Sequence, residues 1–368
     1  MWNESLKHPL CIVRQILKQE RIVSPRLVPE ALLPWAMSIL GLPDGTQVPQ
    51  LTMVAGDASN RRYFRFAVAS QTYVLADSPP STEKNEDFLH VDALLHEAGI
   101  KVPAVLGADL DRGFLLLEDL GDKVLWSALN AVSVDGYYNL AFDVLTKMSA
   151  VETSAAGLAS YNRALLSEEL SRFPQWFVQG LLGYTPNSSE QSMLDIFFER
   201  LIGSALEQPR VMVHRDFHSR NLMLEGLEGL ALIDFQDAVV GPVTYDLVSL
   251  LRDCYIQWPA ARVQAWARSY HSRLCAQGLL VDTSETLFLR WFDWMGLQRH
   301  IKVLGTFSRL YLRDGKSAYL DDLPLVIHYV LQIADQYAGE EPIFADFSAW
   351  FSSRLSPLIM VQDWGKTR

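Results

Sequence analysis

Apolar positions change their spacing along this chain, and the change divides it. Between the turn cluster Gly41-Leu42-Pro43-Asp44-Gly45 and residue 120 they come as short runs or alternations. That pattern predicts strands at 51–54, 63–68, 72–76, 102–105 and 113–117. One helix interrupts them at 86–98, where Phe88, Val91, Leu94 and Leu95 share a face and Gly99 supplies a stop. A helix at 29–40 precedes them. Beyond residue 120 helical spacing dominates, with helices expected at 137–151, 168–182, 191–206, 245–254, 263–277, 285–304 and 323–337. Residues 1–30 carry scattered charge and only a weak helical pattern, so they are expected to be a partly disordered extension. The fold expected is α+β with two lobes: a small sheet lobe over 31–120 and a larger helical lobe over 121–368.

Composition narrows the possibilities. A chain of 368 residues can bury a large core, and 49% hydrophobic with 20% charged residues is globular rather than disordered. A formal net charge of −11 argues against a nucleic-acid backbone as main partner, which needs a positive surface. A nucleotide is still allowed, because a metal ion and a few local cations can neutralise its phosphates. Cys11, Cys254 and Cys275 are widely spaced, with no zinc spacing and no even disulfide framework. A reducing cytoplasm is therefore expected. Met1 to Lys7 shows no basic stretch leading into an apolar signal core, and no apolar run approaches the ~20 residues of a membrane helix. We expect a monomer acting on small molecules.

The chemistry is concentrated in His214-Arg215-Asp216-Phe217-His218-Ser219-Arg220-Asn221 and in Ile233-Asp234-Phe235-Gln236. Transfer of a γ-phosphoryl group needs a carboxylate beside the acceptor hydroxyl and oxygen ligands that hold Mg²⁺ against the phosphates. Asp216 suits the first need. Asn221 and Asp234 suit the second, because Mg²⁺ is a hard cation that prefers oxygen. Apolar runs at 211–213, 222–224 and 231–233, with Gly226 and Gly229 between the last two, predict a loop and a hairpin. The hairpin would return Asp234 to the side of Asn221. The pair of motifs thus reads as the catalytic and metal loops of a kinase-like phosphotransferase.

The nucleotide side is less explicit. Gly56-Asp57-Ala58-Ser59-Asn60-Arg61-Arg62 lies between two expected strands, where small residues let backbone N–H groups approach phosphate oxygens. Leu115 to Gly121 is the expected hinge, with backbone groups near Glu118 and Leu120 meeting the adenine edge. A kinase usually carries a Lys on its third strand, paired with a helix Glu. Here that strand reads Tyr73-Val74-Leu75-Ala76-Asp77 and has none. Arg62 or Arg65 is expected to supply the charge, with Glu83 or Glu86 as partner.

These stretches, with Leu117-Glu118-Asp119-Leu120-Gly121-Asp122 and Gly296 to Gly305, resemble the aminoglycoside phosphotransferase superfamily. Within it they look like the bacterial branch that phosphorylates N-acetylmuramate and N-acetylglucosamine at the anomeric hydroxyl. The resemblance implies ATP, Mg²⁺ and a cytoplasmic role in peptidoglycan recycling. It also implies that the missing strand Lys is a trait of the branch. His214 is expected to brace the loop, and Arg215 either to pair with a nearby acid or to lie by the transferred phosphoryl group. Asp237 would support the site from behind. Asp246 would cap the following helix and tie back to the loop. For the acceptor, Glu169, Arg172, Trp176, Tyr255, Arg299 and His300 offer polar heads beside aromatic faces, and Arg299 could meet a lactyl carboxylate. Two rivals stand beside this reading. One is a kinase for an aminoglycoside, choline or homoserine. The other is an inactive kinase fold that only binds nucleotide.

Overall fold

The computed structural model describes residues 27–43, 46–55, 60–154, 156–226 and 229–366. Most of the expected N-terminal extension, and Gly56, Asp57, Ala58 and Ser59 of the expected phosphate loop, lie outside them.

Five strands build the small lobe: β1 (Thr52–Ala55), β2 (Arg62–Val68), β3 (Gln71–Asp77), β4 (Val105–Asp109) and β5 (Phe114–Glu118). They pair antiparallel in the order β1-β2-β3-β5-β4. Side chains alternate between faces along each strand, and the two faces have different partners. Phe64, Phe66, Leu75, Phe114 and Leu116 pack on Leu32, Leu33 and Ala36 of helix α1 (Leu32–Ile39). Ala76, Leu115 and Leu117 face the other way, toward Phe88, Val91 and Leu95 of helix α2 (Asn85–Glu97) and the main core. The strand expected at 102–105 falls later, at β4, since Pro103 has no N–H to pair.

The large lobe holds a three-stranded sheet and a hairpin. The sheet is β6 (Ala159–Ser160), β7 (Arg210–Val213) and β10 (Val239–Pro242), in the order β6-β10-β7. The hairpin pairs β8 (Leu222–Glu225) with β9 (Gly229–Leu232). It also reaches back to the small lobe, where Leu232 N–H donates to Lys101 O at 2.9 Å, and to the segment just after it, where Leu224 N–H donates to Lys123 O at 2.8 Å. Around them pack α3 (Val134–Ser149), α4 (Arg163–Arg172), α5 (Ser188–Leu206), α6 (Tyr245–Leu251), α7 (Ala260–Ala276), α8 (Glu285–Asp314), α9 (Leu323–Tyr337) and α10 (Pro342–Trp350). The chain leaves α4 through wider, π-type turns at Phe173–Leu181.

Helix α8 is the spine of this lobe. Every residue from Trp291 to Gly305 is buried, including the polar Asp293, Gln298, Arg299, His300 and Lys302. The helix runs ten residues past the expected end at 304. Gly305 is not its stop: a Cβ there would sit 2.4 Å from the Arg172 carbonyl carbon. Glycine lets α8 approach the backbone at the end of α4.

Candidate active site

The catalytic loop leaves β7 at Val213 and enters β8 at Leu222. Two buried carboxylates hold it from below. Asp246, in the first turn of α6, accepts from His214 N–H at 2.6 Å and Arg215 N–H at 3.0 Å. Asp253, just past α6, accepts from Ser219 N–H at 3.0 Å and Ser219 Oγ at 2.5 Å. The expected link from Asp246 to the loop is present; the expected helix cap is not, since Thr244 holds the N-cap position and no side chain caps it. His214 braces from inside, accepting from Asp216 N–H at Nδ1 (3.2 Å) and donating from Nε2 to Ile233 O (3.1 Å). Arg215 (φ 77°) and Asp234 (φ 63°) both adopt the left-handed backbone that non-glycine residues rarely take. Such conformations persist only where the surroundings enforce them.

This bracing brings the three expected residues together. Asn221 Nδ2 donates to Asp216 O at 3.0 Å and lies 3.5 Å from Asp234 Oδ2. Its amide oxygen is then the end that can face a cation. Asp234 is exposed to the cleft, and its other oxygen accepts from Gln236 at 2.8 Å. No cluster of three His, Cys, Asp or Glu side chains suited to a metal exists among the described residues. Mg²⁺ does not require one, because it usually takes one or two carboxylates and completes its shell with phosphates and water. The donor set fits that ion. Asp237 is more remote, in a largely exposed pair with Lys84 at 3.2 Å.

Behind Asp216 lies a buried ionic cluster. Glu169, fully buried, pairs with Arg215 at 2.5 Å and Lys302 at 3.2 Å and accepts from the Tyr161 hydroxyl. Lys302 also donates to the Tyr245 hydroxyl at 2.9 Å. Burial pushes the Glu169 carboxyl up, but Lys302, Arg215 and Tyr161 outweigh it and bring the pKa down to about 2. For Asp216 burial again opposes ionisation, and Lys302, Arg299, His218 and Arg215 together hold the carboxyl below the usual range. Asp246 behaves oppositely: burial prevails over His214 and the two amides, and its pKa rises to about 6. Arg215 thus makes the pairing with an acid that was one of its two expected roles.

The expected acceptor residues separate into groups. Glu169 belongs to the cluster just described. Arg299 is also buried, its Nη1 3.5 Å from Arg215 O and its guanidinium over the Tyr245 ring, so it serves the catalytic loop rather than an open pocket. His300 is a core histidine, on Arg252 O at 3.0 Å and stacked with Tyr329. Burial drives its pKa down to about 3, so it is no cation for a carboxylate at neutral pH. Arg172 turns to Glu168 at 2.7 Å, and Trp176 sits half-buried on the π-type turns. Tyr255 does stand at the loop: Arg220 lies 3.6 Å above its ring, and His218 meets it edge-on.

On the nucleotide side, a cavity of about 430 Å³ is lined by Tyr63, Arg65, Val74, Leu117, Leu120 and Asn221 among others. Glu118 lines it too, but its N–H donates to Ala104 O at 2.9 Å and its carboxylate pairs with Lys101 at 2.6 Å. That N–H is committed within the lobe and not free for adenine. Neither expected cation stands clear. Arg62 pairs with Asp77 at 2.5 Å, and Arg65 clasps the hinge through Asp119 at 2.6 Å and Asp122 at 2.8 Å. Asn60 N–H donates to Glu83 at 2.9 Å, and Glu86 is exposed.

Lys302, Tyr161, Tyr245 and Asp253 were not anticipated. The signal for Lys302 was available: with Arg299 it places two cations three residues apart on a helix otherwise apolar enough to be buried.

A family model described as phosphotransferase enzyme matches residues 50–280, more than half of the chain. The chain belongs to the phosphotransferase enzyme family. Among relatives of this phosphotransferase, the N-acetylmuramate/N-acetylglucosamine kinase of Pseudomonas putida is 42% identical over 296 residues, covering 80% of this chain and 86% of that protein. The Neisseria meningitidis kinase of the same name is 38% identical, covering 80% and 89%. Among solved structures, Plasmodium vivax ethanolamine kinase superposes with a TM-score of 0.60 at 12% identity, covering 94% of this chain and 97% of that one. A thermostable mutant of aminoglycoside phosphotransferase APH(4)-Ia, in ternary complex with AMP-PNP and hygromycin B, gives 0.55 at 17% identity, covering 84% and 99%. These likenesses establish the two-lobed, protein-kinase-like α+β fold. No helix among the described residues is long and apolar enough to cross a membrane.

Proposed function

We propose that this phosphotransferase moves the γ-phosphoryl group of ATP to the anomeric hydroxyl of N-acetylmuramate, N-acetylglucosamine or both. The supporting observation is 42% identity to a kinase of that name across most of both chains, joined to the contacts of Asn221 with the Asp216 backbone and the Asp234 carboxylate. In this reading Asp216 accepts a hydrogen bond from the sugar hydroxyl and aligns its oxygen with the γ-phosphorus. As the new O–P bond forms, the bond from phosphorus to the bridging oxygen breaks, ADP departs, and the hydroxyl proton passes to Asp216. The cations around Asp216 make it a weak base. That suffices, because phosphoryl transfer asks mainly for positioning and an anomeric hydroxyl is more acidic than an ordinary alcohol. Asn221 and Asp234 would hold Mg²⁺, which neutralises phosphate charge when bound.

We assign the acceptor wall to Tyr255, Arg220 and the exposed Trp126, with Arg220 lying 5.2 Å from the Trp126 ring. Apolar sugar faces stack on such rings, and the exposed Arg220 suits a lactyl carboxylate better than the buried Arg299 does. The products would be sugar 1-phosphates made in the cytoplasm from recycled cell-wall sugars by a monomeric enzyme. ADP release measured over a panel of acceptors tests the reading. Turnover is expected on the two amino sugars; turnover confined to an aminocyclitol or an amino alcohol would overturn it.

A further inference from the structure

The acceptor wall comes from three separate stretches of chain, and one buried residue joins them. Arg220 belongs to the catalytic loop, Tyr255 to the segment after α6, and Trp126 to a short helical turn at Leu125–Ala128. Ser219 is fully buried, and all its polar groups are engaged. Its N–H and Oγ donate to Asp253 Oδ2 at 3.0 and 2.5 Å, and its carbonyl accepts from Trp126 N–H at 2.9 Å. Asp253, at 1% exposure, gives its other oxygen to Tyr255 N–H at 3.1 Å. One carboxylate thus spans the catalytic loop and Tyr255, and one serine spans that carboxylate and Trp126. Arg220, the next residue, is exposed and less directly held. Among the described residues it has no ion-pair partner; its guanidinium rests 3.6 Å from the Tyr255 ring centre and 5.2 Å from that of Trp126. A cation over an exposed ring is weakly held, so its place follows that of the two rings. Arg220 also lines the rim of the nucleotide cavity beside Asn221, so the wall meets the nucleotide at the proposed metal ligand.

We propose that Asp253 and Ser219 are positioning residues for the acceptor: they fix the acceptor wall relative to Asp216 and so set acceptor affinity. Two backbone bonds, His218 N–H to Asp216 O and Asn221 N–H to His218 O, both 2.9 Å, fold the loop tightly around Ser219. Ser219 therefore stands in a fixed relation to Asp216, and the wall inherits that relation through it. The two buried anchors divide the work. Asp246 holds the loop's start, at His214 and Arg215, and touches no part of the wall. Asp253 holds the loop's later half and reaches outward to Tyr255. A carboxylate suits the second place because it must take three donors and offer none. The inference rests on the acceptor wall of the proposed function and deepens it.

Steady-state kinetics of the full chain test it, with KM for acceptor and for ATP determined separately in the native protein, Asp253→Asn and Ser219→Ala. Asp253→Asn keeps the shape but turns one accepting oxygen into a donor facing Ser219 or Tyr255. Acceptor KM should rise about tenfold, since small misplacements of a bound reactant are costly, while ATP KM stays within about threefold. Ser219→Ala keeps the N–H and carbonyl links and guards against a folding failure of the first variant. It should raise acceptor KM by less, about threefold, with ATP KM unchanged. Equal rises in both KM values, or a loss of kcat with both KM values unchanged, would mean that the pair only braces the loop, and either overturns the proposal. Native turnover on the two amino sugars tests the proposed function separately. If the native protein uses another acceptor instead, the same comparison is made with that acceptor.

Discussion

The two walls of the cleft hold their charges differently. On the catalytic side Asp216 stands before a largely buried cluster: Glu169 is fully buried, with Lys302 at 9% and Arg215 at 16% exposure. On the hinge side Arg65 meets the buried Asp119 and, at the solvent edge, Asp122, whose side chain is 74% exposed. Charge buried without its partner is costly, whereas charge facing water is screened. The first wall can therefore keep a carboxylate ionised and oriented through the reaction. The second has only one such outer charge, Asp122, whose pair with Arg65 the solvent screens.

That contrast can be broken in graded steps. The largest effect should come from the reacting groups themselves. Asp216→Ala or Asp234→Ala should lower turnover by about 10³-fold or more with melting behaviour nearly unchanged, read by ADP release and thermal unfolding. Next is the buried cluster. Glu169→Gln leaves Arg215 and Lys302 without their shared counter-charge and should cost roughly 3–5 kcal/mol of stability, measured by denaturant unfolding. The native protein should show the same dependence in acid. Glu169 has a pKa of about 2 in the folded state against an ordinary 4.5. Its contribution is thus complete above pH 4.5 and is lost as pH falls through that window toward 2. Unfolding curves of Glu169→Gln should lack this part of the acid transition. The smallest effect belongs to the hinge: Asp122→Asn should change stability by no more than about 1 kcal/mol, and less in high salt. A loss at Asp122 matching that at Glu169 would erase the distinction.

The same contrast explains what could be read from the chain before its structure. The catalytic loop was legible because its parts are close in sequence: Asp216 and Asn221 share one turn, and a short hairpin returns Asp234. The order of strands and most helices was legible from spacing alone, and α9 began and ended where its pattern did. The support was not legible, since Glu169 meets Lys302 of α8, and Asp253 meets Ser219, only once distant segments fold together. His300 misled because a polar residue on a helix looks exposed until the helix proves buried on every side.

Phosphorus NMR of the native protein with ATP, Mg²⁺ and N-acetylmuramate tests the central claim most directly. We expect a new phosphate-ester resonance coupled to the anomeric proton, appearing as the γ-phosphate signal declines, and absent with Asp216→Ala. An ester on another sugar carbon, or loss of the γ-phosphate only to inorganic phosphate, would contradict it.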